Sequence, residues 1–460
     1  VWMDEKLYIP RFDGQAAYIV TTIRNFVNGP TGFVYNPGTA LGDQWKNHFF
    51  VAEFVGNPTR SGIHAFTLKP EGAGFAFGSS SMIVSGVLAT GLDFGPDGAL
   101  YAGDWIDGWG TKNYGRIWKI DSKTPATLRT QVKQYLAEDF SKKTIEDLAG
   151  LLRHEDMRVR QKSQFELAAR GDSGAEALAN ALQSKHQLER IHGIWGLRQM
   201  AGKQPALGEK LVPLLSDADP EIRAQAAKWL GDMRFKGASA TLRSMLKDPY
   251  ARARFFAAEA LGRTADATAT EGLIELLREN DDQDVYLRHA AALALARIGN
   301  AGKLVSLVSD PSRAVRLGAV VALRRMQHEG IKEFLKDKEE RVVVEAARAI
   351  NDDESIAGAM ESLGAALLES KFTSEALIRR AINANLRLGT TASMDRLIQY
   401  AGRESAPVAL RQEAIDALST WSRPSVTDRV DGRYRGEIKR DPAEVQQKAL
   451  EPFRKLLLQA

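Results

Sequence analysis

The chain has no cysteine among its 460 residues. That excludes disulfides, thiolate metal sites, thiol catalysis and a covalently attached c-type haem within it. No stretch reaches the roughly 18 apolar residues of a membrane-spanning helix, and no basic, apolar, small-residue leader opens the chain. Charge of one sign is also scarce. Lys and Arg number 62 against 58 Asp and Glu, a net +4, and the two signs alternate along the second half where a nucleic-acid footprint would cluster them. No nucleic-acid partner is expected. A phosphate-binding loop, a nucleophile elbow and a zinc-helix motif are missing, and Asn57-Pro58-Thr59 fails as a glycosylation acceptor because of its proline. The chain opens at Val1 inside strand-like texture, so further segments upstream, including a secretion signal, are expected to lie outside it.

What is present has two textures. Residues 1–121 hold most of the aromatics in short apolar runs broken by turn residues, which predicts strands at Phe49–Phe54, Ile63–Leu68, Ser81–Val84, Gly91–Phe94, Ala99–Asp104 and Arg116–Ile120. Gly95-Pro96-Asp97-Gly98 fits a tight turn, with proline fixing φ and glycine free to take a positive value. Four such strands need about 40–50 residues, the spacing of a propeller blade, so two to three blades fit here. A propeller closes at about four blades or more, so either blades are missing upstream or this is a small sheet domain leaning on the helices.

From residue 144 the texture is leucine, alanine and arginine at helical spacing. Arg160, Arg190, Arg223, Arg254, Arg288, Arg316, Arg379 and Arg411 recur at about 31 residues, with one degenerate repeat at Val343. Seven residues after each arginine stands a leucine: Leu167, Leu197, Leu230, Leu261, Leu295, Leu323, Leu386 and Leu418. A small residue, such as Ala226 or Ala257, stands three after most of them. Offsets of three and seven share one helix face, so each repeat has an inward stripe that it cannot bury alone. Asp219-Pro220, Asp248-Pro249 and Asp310-Pro311 each set an N-cap acceptor before a proline at the first helical position. This helix–turn–helix period looks like HEAT repeats.

The expected organisation is therefore multidomain β plus α. A partial β-propeller spans 1–121, a linker 122–143, an α-solenoid of about nine HEAT repeats 144–421, and an extension with a capping helix 422–460. The ruler arginines are expected to bond acidic residues and helix ends of neighbouring repeats rather than phosphate.

Gly91–Ile120 resembles the propellers of the glucose/sorbosone dehydrogenase family, whose members bind pyrroloquinoline quinone (PQQ). His48–Phe54, Ser61-Gly62-Ile63-His64, Asp93–Trp105, Gly115–Trp118 and the tail motif Asp428–Arg435 resemble large planctomycete proteins described as membrane-bound dehydrogenases, built of propeller, HEAT repeats and a c-type cytochrome domain. The chain departs from them in lacking early blades and any Cys-x-x-Cys-His. The resemblance implies oxidation of a sugar or alcohol by PQQ with Ca²⁺, electrons passing to a cytochrome, and a haem only in a domain outside this chain. It also implies a periplasmic or cell-envelope location and a protein partner on the concave face of the solenoid. The alternative is a non-catalytic scaffold binding protein or polysaccharide.

Such chemistry needs a general base and a polarising cation. His48 and His64 are the only histidines of the strand region, and Arg60 and Arg116 are its anion partners. Asp104 and Asp107 stand in a loop after a strand, as metal ligands or as structural acceptors, while Asp93 and Asp97 read as turn and strand-end acceptors. Trp105, Trp109 and Trp118 are candidates to stack on a planar cofactor, though packing between blades is the reading favoured for them. This chain alone is expected to show no quinone-dependent turnover, because the upstream walls of the site are missing.

Overall fold

The computed structural model describes residues 23–107, 110, 113–352 and 355–459, in two compact units, Thr22–Ala260 and Leu261–Ala460. The first unit begins with β1 (Pro30–Tyr35), β2 (Phe49–Glu53), β3 (Gly62–Glu71) and β4 (Gly74–Ser85), an antiparallel meander in that order. β5 (Ala89–Phe94), β6 (Leu100–Asp104) and β7 (Arg116–Ile120) form a second antiparallel sheet. The described strands close into neither a barrel nor a propeller ring; they are two small sheets that share one buried core, with β1 beside β5.

Alternation decides which side faces inward. Phe50 and Ala52 of β2 and Ile63 and Ala65 of β3 meet Ala89, Phe94, Leu100 and Ala102 of the second sheet in one buried core. The odd-numbered side of β2 belongs to the opposite face, where Phe33, Phe49, Phe66 and Phe77, one from each strand, stack at 5.6, 5.3 and 5.4 Å. The expected tight turn is present: Gly98 takes φ +76° and donates to Gly95 O at 2.9 Å.

Within the same unit the sheets are bonded to the first helix pair. Met157 N donates to Pro37 O at 2.8 Å, and the Arg158 guanidinium donates to Gly95 O at 2.9 Å. Gly38, at φ +109°, approaches so closely that a Cβ there would stand 2.6 Å from Glu155 O.

The first unit holds four helix pairs. The second helices of these pairs are Met157–Ala169, Gln187–Ala201, Pro220–Asp232 and Ala251–Arg263. In the second unit the corresponding helices are Val285–Ile298, Arg313–Arg325, Glu340–Asn351, Glu375–Leu388 and Val408–Ser419. The ruler leucines are all buried on their inner face, and the degenerate repeat contributes Val343, Ala346 and Ile350 in the same places. Asp219 caps as its sequence dictates, accepting from Glu221 N at 2.9 Å ahead of Pro220. Pro205–Ser216 winds as a 3₁₀ helix and contains Pro213, which cannot donate a backbone hydrogen bond.

The tail motif folds back onto the second unit. Asp428, buried, accepts from Asn383 Nδ2 at 2.9 Å and Arg435 Nε at 3.0 Å, and Arg435 also reaches Asn351 O at 2.8 Å. Its charged residues are thus a structural clasp across two helices. The last helix, Pro442–Gln459, follows.

Candidate functional site

Three places carry the side chains with the most chemistry. The first is a cleft of about 770 Å³ beside β6 and β7, lined among others by Asp104, Trp105, Asp107, Asn113, Tyr114 and Arg116. Four of the residues proposed from sequence therefore share one wall. Asp104 is saturated: Oδ1 accepts from the backbone N–H of Leu88 at 3.1 Å and of Ile106 at 2.9 Å, and Oδ2 from Trp118 Nε1 at 2.9 Å, with Arg116 Nε at 3.2 Å. Burial pushes its carboxyl up, but the Trp118 donor, the two amides and Arg116 outweigh that and hold it below the usual range. Arg116 also lies over the Trp118 ring at 5.2 Å. Trp109 lies outside the described residues.

The other sequence candidates stand on the first sheet, away from this cleft. His64 on β3 bonds Glu53 Oε2 at 3.0 Å, with the Phe26 ring edge-on at 5.5 Å. His48 precedes β2, its Nδ1 3.0 Å from Lys46 O. Arg60 is exposed in the turn Pro58–Arg60. Asp97 serves its turn, bonding Tyr101 and Lys119; these donors overcome the cost of burial and lower its pKa to about 2.

The described residues of the cleft do not fit the implied cofactors. PQQ is a tricarboxylate, whereas this wall offers one guanidinium already paired with Asp104, beside a second carboxylate. Ca²⁺ takes six to eight oxygen ligands, and among the described residues no group of three or more His, Asp or Glu gathers as a metal would require.

The second place is the arginine ladder, and it is engaged internally. Arg223 holds Asp248 of the next repeat through Nε at 2.7 Å and NH2 at 2.8 Å, and its NH1 takes Asp217 O at 2.8 Å. Arg190 pairs with Asp217, Arg316 with Asp337 and Arg379 with Glu413 in the same forward sense. Arg160 donates to His192 Nε2 at 3.0 Å. Each of these pairs staples one repeat to the next, while Arg288 bonds Asp282 and Arg411 the Ala401 carbonyl within their own repeats.

The third place was not foreseen in the sequence. Across helices Gln187–Ala201, Pro220–Asp232 and Ala251–Arg263, the half-buried Trp195, Trp229 and Arg252 and the buried Gln225 and Phe256 belong to a lateral set of rings, amides and cations. Trp195 Nε1 donates to Gln225 Oε1 at 3.1 Å, Gln225 Nε2 donates to Glu221 Oε1 at 2.7 Å, and Tyr250 Oη donates to Glu221 Oε2 at 3.2 Å. Arg252 pairs with Glu221 at 3.2 Å and lies over the Phe256 ring at 5.0 Å. Lys228 sits 3.4 Å above the Trp229 ring, with Arg198 on it at 5.7 Å. The available signal was the interval of 34 residues between Trp195 and Trp229, close to the repeat period and off the inward stripe.

A family model for HEAT repeats matches residues 208–296. No curated protein matches the chain. Among solved structures, the complex of CpcE and CpcF of phycocyanin lyase from Nostoc sp. PCC7120 is similar at 22% identity over 53% of this chain and 86% of that one, TM-score 0.25. Human deoxyhypusine hydroxylase is similar at 19% identity over 56% of this chain and 97% of that one, TM-score 0.22. Importin beta is similar at 12% identity over 64% of this chain and 53% of that one, TM-score 0.41. By its own elements the described chain is mostly helical, an array of helix pairs matched by the HEAT-repeat model at 208–296 and preceded by two small antiparallel sheets. Among the described residues no helix is long and apolar enough to cross a membrane.

Proposed function

We propose that this chain is a protein-binding scaffold, and that the stripe from Trp195 to Phe256 is its contact surface. One observation carries the reading: repeat arginines such as Arg223 are taken up in staples between repeats, while Trp195, Trp229 and Arg252 remain partly exposed around the hydrogen-bonded Gln225 and Glu221. Rigid amphipathic rings flanked by cations and amides are the side chains that dominate protein contact surfaces. A stacked array presents them at repeat intervals, matching an extended partner.

The test is affinity capture from the native organism with the wild-type chain, with Trp195→Ala and with Trp229→Ala, each checked by thermal melting. A partner retained by the wild type and lost by both folded variants is expected. A partner retained equally by all three removes the stripe as the contact surface. The sugar- or alcohol-oxidising reading rests on the resemblance of the strand region, and its own test is dye reduction by this chain with added PQQ and Ca²⁺.

A further inference from the structure

The β3–β4 hairpin reaches much further than its sheet. Its two strands run Gly62–Glu71 and Gly74–Ser85, paired up to Glu71↔Gly74. At about 3.3 Å per residue, ten residues of β3 span roughly 33 Å. From Met157–Ala169 to Ala251–Arg263 is three steps between second helices, and at 8–10 Å per step that is roughly 24–30 Å. The base of the sheet is bonded at Asp156 and Met157, as described, and the tip arrives three helices later: Phe75 of β4 lies under the Arg252 guanidinium, 5.6 Å from ring centroid to Cζ. Ala73, in the turn, is only 3% exposed. A hairpin turn in water would expose that alanine.

Arg252 is the residue by which the stripe ends. It holds Glu221 on one side and is layered between two aromatic rings, Phe256 of its own helix at 5.0 Å and Phe75 of the hairpin. A polypeptide strand from the chain itself therefore already meets this surface, through Phe75, 38% exposed, against Arg252.

We propose that the surface formed by Glu221, Tyr250, Arg252 and Phe256 is a docking site for an extended polypeptide segment bearing an aromatic residue, and that the β3–β4 tip is its resident occupant. This rests on the scaffold reading and adds the kind of partner and its gate. An incoming segment displaces the tip and replaces Phe75 under Arg252. The tip also joins repeats that are not neighbours, so its release frees the spacing of helices that otherwise contact only the next pair.

The test needs no natural partner. Deleting Pro70, Glu71, Gly74 and Phe75 removes two register pairs and keeps the Gly72-Ala73 turn. A fluorescein-labelled peptide of residues 66–79 is titrated into the wild type, the shortened variant and the shortened variant carrying Arg252→Ala, with anisotropy as readout. The expected result is binding to the shortened variant at least tenfold tighter than to the wild type, and loss of that gain with Arg252→Ala. Phe75→Ala in the intact hairpin, which leaves the strands paired, is the second variant and is expected to raise peptide affinity over the wild type. Equal affinity for wild type, shortened chain and Phe75→Ala overturns the proposal, as does a gain that survives Arg252→Ala or absence of binding to all. Because capture through Trp195 and Trp229 is measured separately, failure of the peptide test leaves the scaffold reading standing and is told apart from a failure of that reading.

Discussion

Thr39 Oγ1 donates to Asp156 Oδ2 at 2.5 Å, joining a loop of the first sheet to the start of the first long repeat helix across 117 residues of sequence. The same carboxylate caps that helix through Arg158 N at 2.9 Å and binds the Arg158 guanidinium, which in turn holds the carbonyls of Phe94 and Gly95. One buried aspartate therefore fixes both sheets to the array.

Removing it leaves Arg158 and the helix N-terminus unsatisfied in a desolvated site. Asp156→Ala is expected to cost about 3–5 kcal/mol, read as a lower urea midpoint and early proteolytic release of the strand region. Burial raises the Asp156 pKa, but Arg158, Thr39 and the cap hydrogen bond bring the net shift below the ordinary value. Its contribution is therefore complete above the unfolded value of about 3.9 and is lost as pH falls through the lower folded value. The acid dependence of strand-region release should be absent in Asp156→Ala, whose junction is already weakened at neutral pH.

The ladder makes a second expectation. Arg316 and Asp337 are both fully buried, bonded through Nε at 2.7 Å and NH2 at 3.2 Å, with Arg316 NH1 on Asp310 O at 2.8 Å. The fork geometry is what a lysine cannot reproduce. Arg316→Lys should lose most of the roughly 3–5 kcal/mol lost by Arg316→Ala, measured by urea unfolding. The double replacement Arg316→Met, Asp337→Leu should be milder than either charge removed alone, since no buried charge is stranded. A lysine variant as stable as wild type would show that the fork contributes little.

Close helix approach gives a third. A Cβ on Gly231 would meet Ala260 Cα at 2.7 Å, backbone against backbone. Nothing flexible can yield, so Gly231→Ala is expected to destabilise the first unit by about 1–3 kcal/mol despite the better helix propensity of alanine. Gly202, with nothing within 4 Å, is the control position. If Gly231→Ala proves as stable as Gly202→Ala in thermal melts, the packing argument fails.

How far these features could be read in advance depended on whether they are local. β2, β5, β6 and β7 fall within a residue or two of their expected ends, because alternation and turn residues bound them. β1 was missed, since Gly29-Pro30-Thr31-Gly32 reads as a turn. β4 extends back from the expected Ser81 to Gly74 through a run whose alternation, Phe75 and Phe77, is cut short at Gly78-Ser79-Ser80. The repeat leucines were legible because one period fixes them all. The candidate site was not: whether Asp104 holds a metal or four protein donors turns on Leu88, Ile106, Trp118 and Arg116, which only the folded sheet assembles. Phe75 meeting Arg252 is likewise a contact between distant segments, invisible to any local rule.

The most direct pH-dependent expectation concerns His192. It is buried at 2% exposure, accepts at Nε2 from Arg160 and bonds Gln164 Oε1 through Nδ1 at 2.8 Å. With Nε2 occupied by a donor that cannot lose its proton, the ring is neutral with its hydrogen on Nδ1. Burial, and then the Arg160 charge, lower its pKa to about 3. The unfolded chain binds a proton near pH 6.5 and the folded one does not until about pH 3, so stability is complete above 6.5 and falls as pH drops between the two. At pH 5 the loss amounts to about 2 kcal/mol. His192→Gln, which keeps an acceptor without a titrating ring, should flatten that part of the curve in urea melts at pH 7.5 and 5.0. An imidazole that titrates near 6.5 by NMR in the folded protein would contradict the Arg160 hydrogen bond itself.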